Sequence, residues 1–152
     1  MIYSVFNHLK QMRLLMILGQ KSLKMPVIGN FISVGFEYMI RIVFASDISC
    51  KARISRDISF IHGHDIVIGS EVVIGKNCKI FNGVTLGNKD TESGENSHPV
   101  IGDNCVISTG AKILGNVVIG NNCIIGANAV VLMDVPDNSV AVGVPAKILK
   151  RS

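Results

Sequence analysis

The chain has 152 residues, no Trp, 15 Gly and 48% hydrophobic residues, which bounds it to one compact domain with at most a short appendage and excludes a core built on aromatic volume. Its net charge of +4 suits an anionic small molecule or a membrane surface and is too diffuse to argue for nucleic acid. The four cysteines, Cys50, Cys78, Cys105 and Cys123, form no CxxC pair, and no His or Cys cluster has zinc spacing; free buried thiols in a reducing compartment are expected, and no metal.

Residues 1–24 set Ile2, Phe6, Leu9, Met12, Met16 and Ile17 at helical spacing. Charges are spread through this stretch and no small-residue cleavage site comes after it, so a signal peptide is not expected. Pro26 and Gly29 then break the pattern. Residues 27–44 read as a second helix, apolar almost all round yet carrying Glu37 and Arg41, which makes a poor transmembrane span. Together residues 1–45 read as a helical segment that caps an open strand edge at the start of the remaining chain. Peripheral membrane association through Lys10, Arg13, Lys21 and Lys24 is the alternative.

From residue 48 the chain repeats every six residues. An aliphatic or aromatic residue opens each unit: Ile48, Ile54 and Phe60, then Ile68, Ile74, Ile80 and Leu86, then Ile101, Ile107, Ile113, Ile119, Ile125 and Val131. Two positions before an opener sits a small residue, such as Ala52, Val72, Cys78, Cys105, Ala111 or Cys123. Neither a period of two nor one of 3.6 generates that pattern. The reading is an all-β solenoid in which each hexapeptide makes one short strand and one turn, and three make a triangular coil. Coils stack at about 4.8 Å with the openers pointing inward. Cys78, Cys105 and Cys123 take the small interior position, so they pack rather than react. Gly69, Gly75, Gly87, Gly102, Gly120 and Gly126, with Asn77, Asn104, Asn122 and Asn128, suit turns that need positive φ. The solenoid spans 46–146 and leaves 147–152 as a tail.

The repeat breaks twice, and both breaks hold histidine. Phe60 to Ile68 is eight residues, so two extra residues sit in IHGHD; Leu86 to Ile101 is fifteen, so nine extra residues loop out at about 88–99. Insertions on a rigid scaffold are where function is grafted. With the first insertion one coil takes twenty residues, so residue 67 returns above residue 47 and the Asp47 carboxylate comes within reach of His62. Such a pair fixes the imidazole tautomer and stabilises the imidazolium, leaving the other nitrogen to take a proton from a hydroxyl. His64 is either an alternative base or an exposed turn residue. His98, stiffened by Pro99, is either a loop anchor or a group that hydrogen-bonds a substrate or a neighbouring subunit.

The motifs DI(x)13HG, GVTLG, HPxIG, GAKILGN and GVPAK occur in this order. Across residues 26–150 they resemble the hexapeptide-repeat acyltransferases, above all the serine O-acetyltransferases and the small O-acetyltransferases of surface-polysaccharide gene clusters. The resemblance implies a left-handed parallel β-helix of hexapeptide repeats behind a short N-terminal helical segment. It implies acetyl-CoA as co-substrate and a homotrimer, with His62 as general base, Asp47 as its partner and His98 as the loop histidine of the catalytic set. Donor-site positions that match the family are Gly87, Thr109 and Ala127, with Lys147 near the phosphates and Lys150 and Arg151 adding charge.

Serine acetyltransferases carry an Asp immediately before the base and an Arg immediately before the loop histidine, which grip the amino acid's ammonium and carboxylate. Here those positions are Ile61 and Ser97. A zwitterion without those partners is badly held, so the expected acceptor is a neutral hydroxyl, above all that of a sugar in surface-polysaccharide biosynthesis. The short N-terminus with MPVIGN agrees. Serine, in cysteine biosynthesis, is the alternative acceptor. The expected location is cytoplasmic, with the inner face of the membrane open. Two further readings differ in class: a carbonic-anhydrase-like metal protein, whose HxxxxH spacing is missing here, and a non-catalytic scaffold subunit, which would not bind acetyl-CoA.

Overall fold

The computed structural model describes residues 8–89 and 97–150. Two helices, α1 (His8–Ser22) and α2 (Gly29–Phe44), precede a run of short strands. The first coil holds β1 (Asp47–Ile48), β2 (Arg53–Ile54) and β3 (Ser59–Ile61), and the second β4 (Val67–Ile68), β5 (Val73–Ile74) and β6 (Lys79–Phe81). The third holds β7 (Thr85–Gly87), β8 (Val100–Ile101) and β9 (Val106–Ile107), and the fourth β10 (Lys112–Leu114), β11 (Val118–Ile119) and β12 (Ile124–Ile125). β13 (Val130–Val131), β14 (Ser139–Val142) and β15 (Lys147–Lys150) close the end. Every third strand stacks, giving sheet A (β1-β4-β7-β10-β13), sheet B (β2-β5-β8-β11) and sheet C (β3-β6-β9-β12-β14-β15). Among the described residues all strand pairs are parallel except β14–β15. The solenoid is a left-handed parallel β-helix.

Register measures the coils. Asp47 stands over Val67, Val67 over Thr85, Thr85 over Lys112 and Lys112 over Val130, so successive coils take 20, 18, 27 and 18 residues. Three hexapeptides make 18, and the excesses of two and nine are the two insertions. All thirteen openers are buried, and Ile80, Ile107 and Ile125 form one column of sheet C. A repeated β-branched side chain packs well on such a pleated, half-buried surface.

The four cysteines are free and buried. Three thiols donate to a carbonyl of the next coil: Cys78 Sγ to Gly102 O at 3.1 Å, Cys105 Sγ to Gly120 O at 3.0 Å and Cys123 Sγ to Pro136 O at 3.1 Å. Hydrogen bonding to the Cys78 thiol and burial push the Cys105 thiol up, and burial, with Glu37 nearby, pushes that of Cys50 up to about 12. Thiols held protonated are poor nucleophiles.

At the corner between sheets B and C, Asn77, Asn104 and Asn122 adopt positive φ near 56–57°. Their amides bond in a ladder, 3.3 Å from Asn77 to Asn104 and 3.2 Å from Asn104 to Asn122. None of the six glycines expected to share that conformation does; among the described residues the positive-φ glycines are Gly83, Gly110, Gly115 and Gly143. Close approach explains Gly75 instead. A Cβ there would collide with Asp103 Oδ1 and stand 2.8 Å from the Gly102 backbone. Gly75→Ala is therefore expected to destabilise by about 1–3 kcal/mol, read as a lower urea midpoint with unchanged slope.

Backbone N–H groups of each coil donate to the coil after it, as Asp47 N to Ile66 O (2.7 Å) and Val67 N to Val84 O (2.9 Å). The first coil is thus left with a row of outward carbonyls, an edge that invites aggregation. The helices cover it. Gln20 Nε2 donates to Ala52 O at 2.8 Å and Arg13 to Ile58 O at 3.4 Å, while Met12, Met16, Ile40 and Phe44 are buried over the coil's open end. Glu37 of α2 accepts Cys50 N at 2.6 Å, tying the helix down. At the other end residues 147–150, expected as a tail, form β15 and pair antiparallel with β14, which closes the last edge of sheet C. Ile2, Phe6 and Arg151, and the 90–96 part of the second insertion, lie outside the described residues.

Candidate active site

The first insertion forms a bulge at the corner between sheets C and A. His62 and Asp65 both sit in the left-handed region, at φ 53° and 54°, a conformation that His and Asp tolerate better than most residues. His64 N donates to His62 O at 2.7 Å, and Gly83 N to His64 O at 3.2 Å, which ties the bulge to the second coil. The left-handed turn leaves the His62 side chain exposed. A groove of about 570 Å³ opens there. Its apolar wall is the end of α2, Ile42 to Ala45, and its polar wall is His62, His64 and Asn82. Residues held in sparsely populated backbone regions cluster at functional sites, and this bulge has two within four residues.

The corner continues as a column. Asn82, Thr109 and Ala127 lie one, two and three coils beyond His62, about 14 Å in all at the strand spacing. Gly110 N donates to Asn82 O and Asn128 N to Thr109 O, each at 2.9 Å, and the Thr109 hydroxyl donates to Asn82 Oδ1 at 3.2 Å. Ala127 is an exposed turn residue, and exposed Lys147 opens β15 across from Val142.

Asp47 behaves differently from the expectation. Its carboxylate accepts the Arg41 guanidinium of α2 at 2.7 Å, and among the described residues no hydrogen bond or ion pair joins it to His62. Residue 67 does return over residue 47, but register alone leaves the side chain's direction open. A charged guanidinium is a stronger partner for a carboxylate than an imidazole. Arg41 was legible only as a charge on an apolar helix; its place six residues before Asp47 across a helix end was the available signal.

His98 stands elsewhere. Its ring packs over Gly69, where a Cβ would come within 2.5 Å of His98 Nε2. Gly69 comes directly after β4, at the corner between sheets A and B, so His98 is at the opposite end of sheet A from His62. Gly87, the last residue of β7, lies at that same far corner. One chain therefore brings together His62, His64, Asn82, Thr109 and Ala127 at one corner, and His98 and Gly87 at another. Lys112 was missed by sequence reasoning. Its Nζ donates to Gly83 O at 2.6 Å and Thr85 Oγ1 at 3.0 Å, which fixes a cation at the start of β7, at the His62 end of sheet A. Among the described residues no group of three His, Cys, Asp or Glu is placed to hold a metal.

Two family descriptions match the chain: bacterial transferase hexapeptide (six repeats) over residues 98–132, and hexapeptide repeat of succinyl-transferase over residues 65–89. A serine acetyltransferase of Synechococcus elongatus is 40% identical over 129 residues, covering 85% of this chain and 51% of that protein. A soybean serine acetyltransferase complexed with serine superposes with a TM-score of 0.78 at 39% identity, over 91% of this chain and 54% of that one. A serine acetyltransferase in complex with CoA gives 0.73 at 39% identity, over 79% and 49%. The chain spans about half the length of the relatives it matches.

These relatives overturn the expectation of a sugar acceptor in surface-polysaccharide biosynthesis. That expectation rested on Ile61 and Ser97 and on the short N-terminus with MPVIGN. Likeness to serine acetyltransferases over 85% of the chain outweighs them. The coil register, the bulged histidine corner and these matches converge: the chain belongs to the hexapeptide-repeat transferases, with the left-handed β-helix of the serine acetyltransferases.

Proposed function

We propose that this chain transfers the acetyl group of acetyl-CoA to the hydroxyl of L-serine, with His62 as the general base. One observation carries the reading: an exposed histidine in a left-handed bulge, at the head of a groove, in a chain whose relatives are serine acetyltransferases. His62 takes the hydroxyl proton as the serine oxygen attacks the thioester carbonyl. The carbon–sulfur bond then breaks and the thiol leaves, helped by a pKa close to that of cysteine, about 8.5. Backbone N–H groups beside the groove stabilise the oxyanion. The donor runs down the corner column past Thr109 and Ala127, with Lys147 meeting its phosphates. Asp47, ion-paired with Arg41, is the carboxylate that would orient the His62 ring if it were released from that pair. His98 and Gly87 join the site from the far corner of a neighbouring copy, which is the reason to propose a homotrimer.

Thiol release from acetyl-CoA tests the acceptor. Saturable release with L-serine and background release with neutral sugars is the expected outcome. Release with a sugar alone, or with neither, refutes the assignment.

A further inference from the structure

The turn between the two helices carries features that acetyl transfer does not use. Val27 is 91% exposed and Phe31 82% exposed, with Met25, Ile28 and Val34 exposed beside them. Val27 also has φ 67°, and Ile28 N donates to Pro26 O at 2.8 Å. That is the positive-φ γ-turn, a rare and strained form, and a β-branched residue in it is a true outlier. The backbone is held in an unfavourable conformation at the point where an apolar side chain is pushed into solvent. This tip is separate from the His62 groove, which is walled by the other end of α2.

Charge says what covers the tip. Lys21 and Lys24 are exposed and immediately precede it. The first 36 residues hold four Lys or Arg and no Asp or Glu; residues 1–80 hold ten against five, and residues 81–152 five against six. Positive charge is thus gathered at the helical end of the solenoid. Both charges of α2 are paired, Glu37 with Cys50 N and Arg41 with Asp47, and Phe31, Val34, Tyr38 and Ile42 are exposed along the same helix. Exposed apolar side chains preceded by two exposed lysines match an anionic lipid surface. Two such tips facing each other would set lysine against lysine, which argues against a second copy as the occupant. α2 has 16 residues, about 24 Å, and no described helix is long and apolar enough to cross a membrane. The contact is one of lying on the surface.

We infer that the α1–α2 turn, through Val27, Ile28 and Phe31 flanked by Lys21 and Lys24, docks the protein on an anionic phospholipid surface. Sedimentation of the full chain with vesicles tests this, comparing pure phosphatidylcholine with a phosphatidylcholine–phosphatidylglycerol mixture at low salt. Sedimentation with the mixed vesicles alone is expected. The double variant Val27→Ser/Phe31→Ser should lower the partition coefficient by about tenfold or more, and Lys21→Glu/Lys24→Glu by a similar factor. Both pairs are solvent-facing and outside the His62 groove, so CoA release by the variants should match the parent. Failure of the parent to sediment with mixed vesicles overturns the inference, as does retention of binding by either variant. A drop in assembled mass of the Val27→Ser/Phe31→Ser variant by light scattering also overturns it, because a second copy would then be the occupant.

Discussion

Replacing His62 with Asn is expected to lower kcat by about 10²–10⁴-fold, equivalent to roughly 2.7–5.5 kcal/mol of transition-state stabilisation. Asn is the informative variant because it tolerates the left-handed conformation that His62 adopts at φ 53°, whereas Ala adds a backbone penalty to the chemical loss. The side chain is exposed and outside the core, so the melting temperature should move little. His62→Ala should lose as much activity with a slightly lower melting temperature. His64 lines the same groove and provides the contrast. If His64→Asn abolished turnover while His62→Asn preserved it, the base would be His64, and the roles of the two bulge histidines would be exchanged.

The second large effect is on stability. Ile107 is fully buried between Ile80 and Ile125 in the central column of sheet C. Ile107→Ala should cost about 2–5 kcal/mol, the loss of buried surface adding to a cavity that stacked coils on both sides cannot close. For a chain of this size that is a fall in Tm of roughly 4–20 °C. Circular-dichroism melting measures it, and a shift below about 2 °C would mean that the column relaxes far more than a close-packed interior should. Cys105, two residues earlier in the same coil, provides the comparison. Its thiol already occupies a site where Ala and Val stand in other coils, so Cys105→Ala should cost much less than Ile107→Ala.

The contrast between these two expectations reflects what was legible in the residues alone. The six-residue period identifies Ile107 as a column residue, with which the register agrees, and Cys105 as a small interior residue, which is fully buried. It also locates both insertions, since coils of 20 and 27 residues among coils of 18 emerge from counting openers. Most of the solenoid is readable this way because its long-range contacts recur at a nearly constant sequence separation, so the period of the sequence is the period of the tertiary structure. The glycines differ in cause: the sequence pattern suggests positive φ at six of them, whereas at Gly75 the reason is a neighbouring turn too close to admit a Cβ.

The His62 site divides along the same line. That a histidine occupies a bulge is implied by the two-residue excess in IHGHD, by sequence alone. Where Asp47 points, that Arg41 holds it, that His98 packs on Gly69 at the far corner and that Lys112 reaches back to the start of β7 were decided by packing. These are choices among competing partners, set by side-chain direction and by a helix that belongs to no repeat, and no period encodes them. The strained turn at Val27 is of the same kind: composition marks a break at Pro26, and only the folded helix pair shows that the break thrusts an apolar side chain outward.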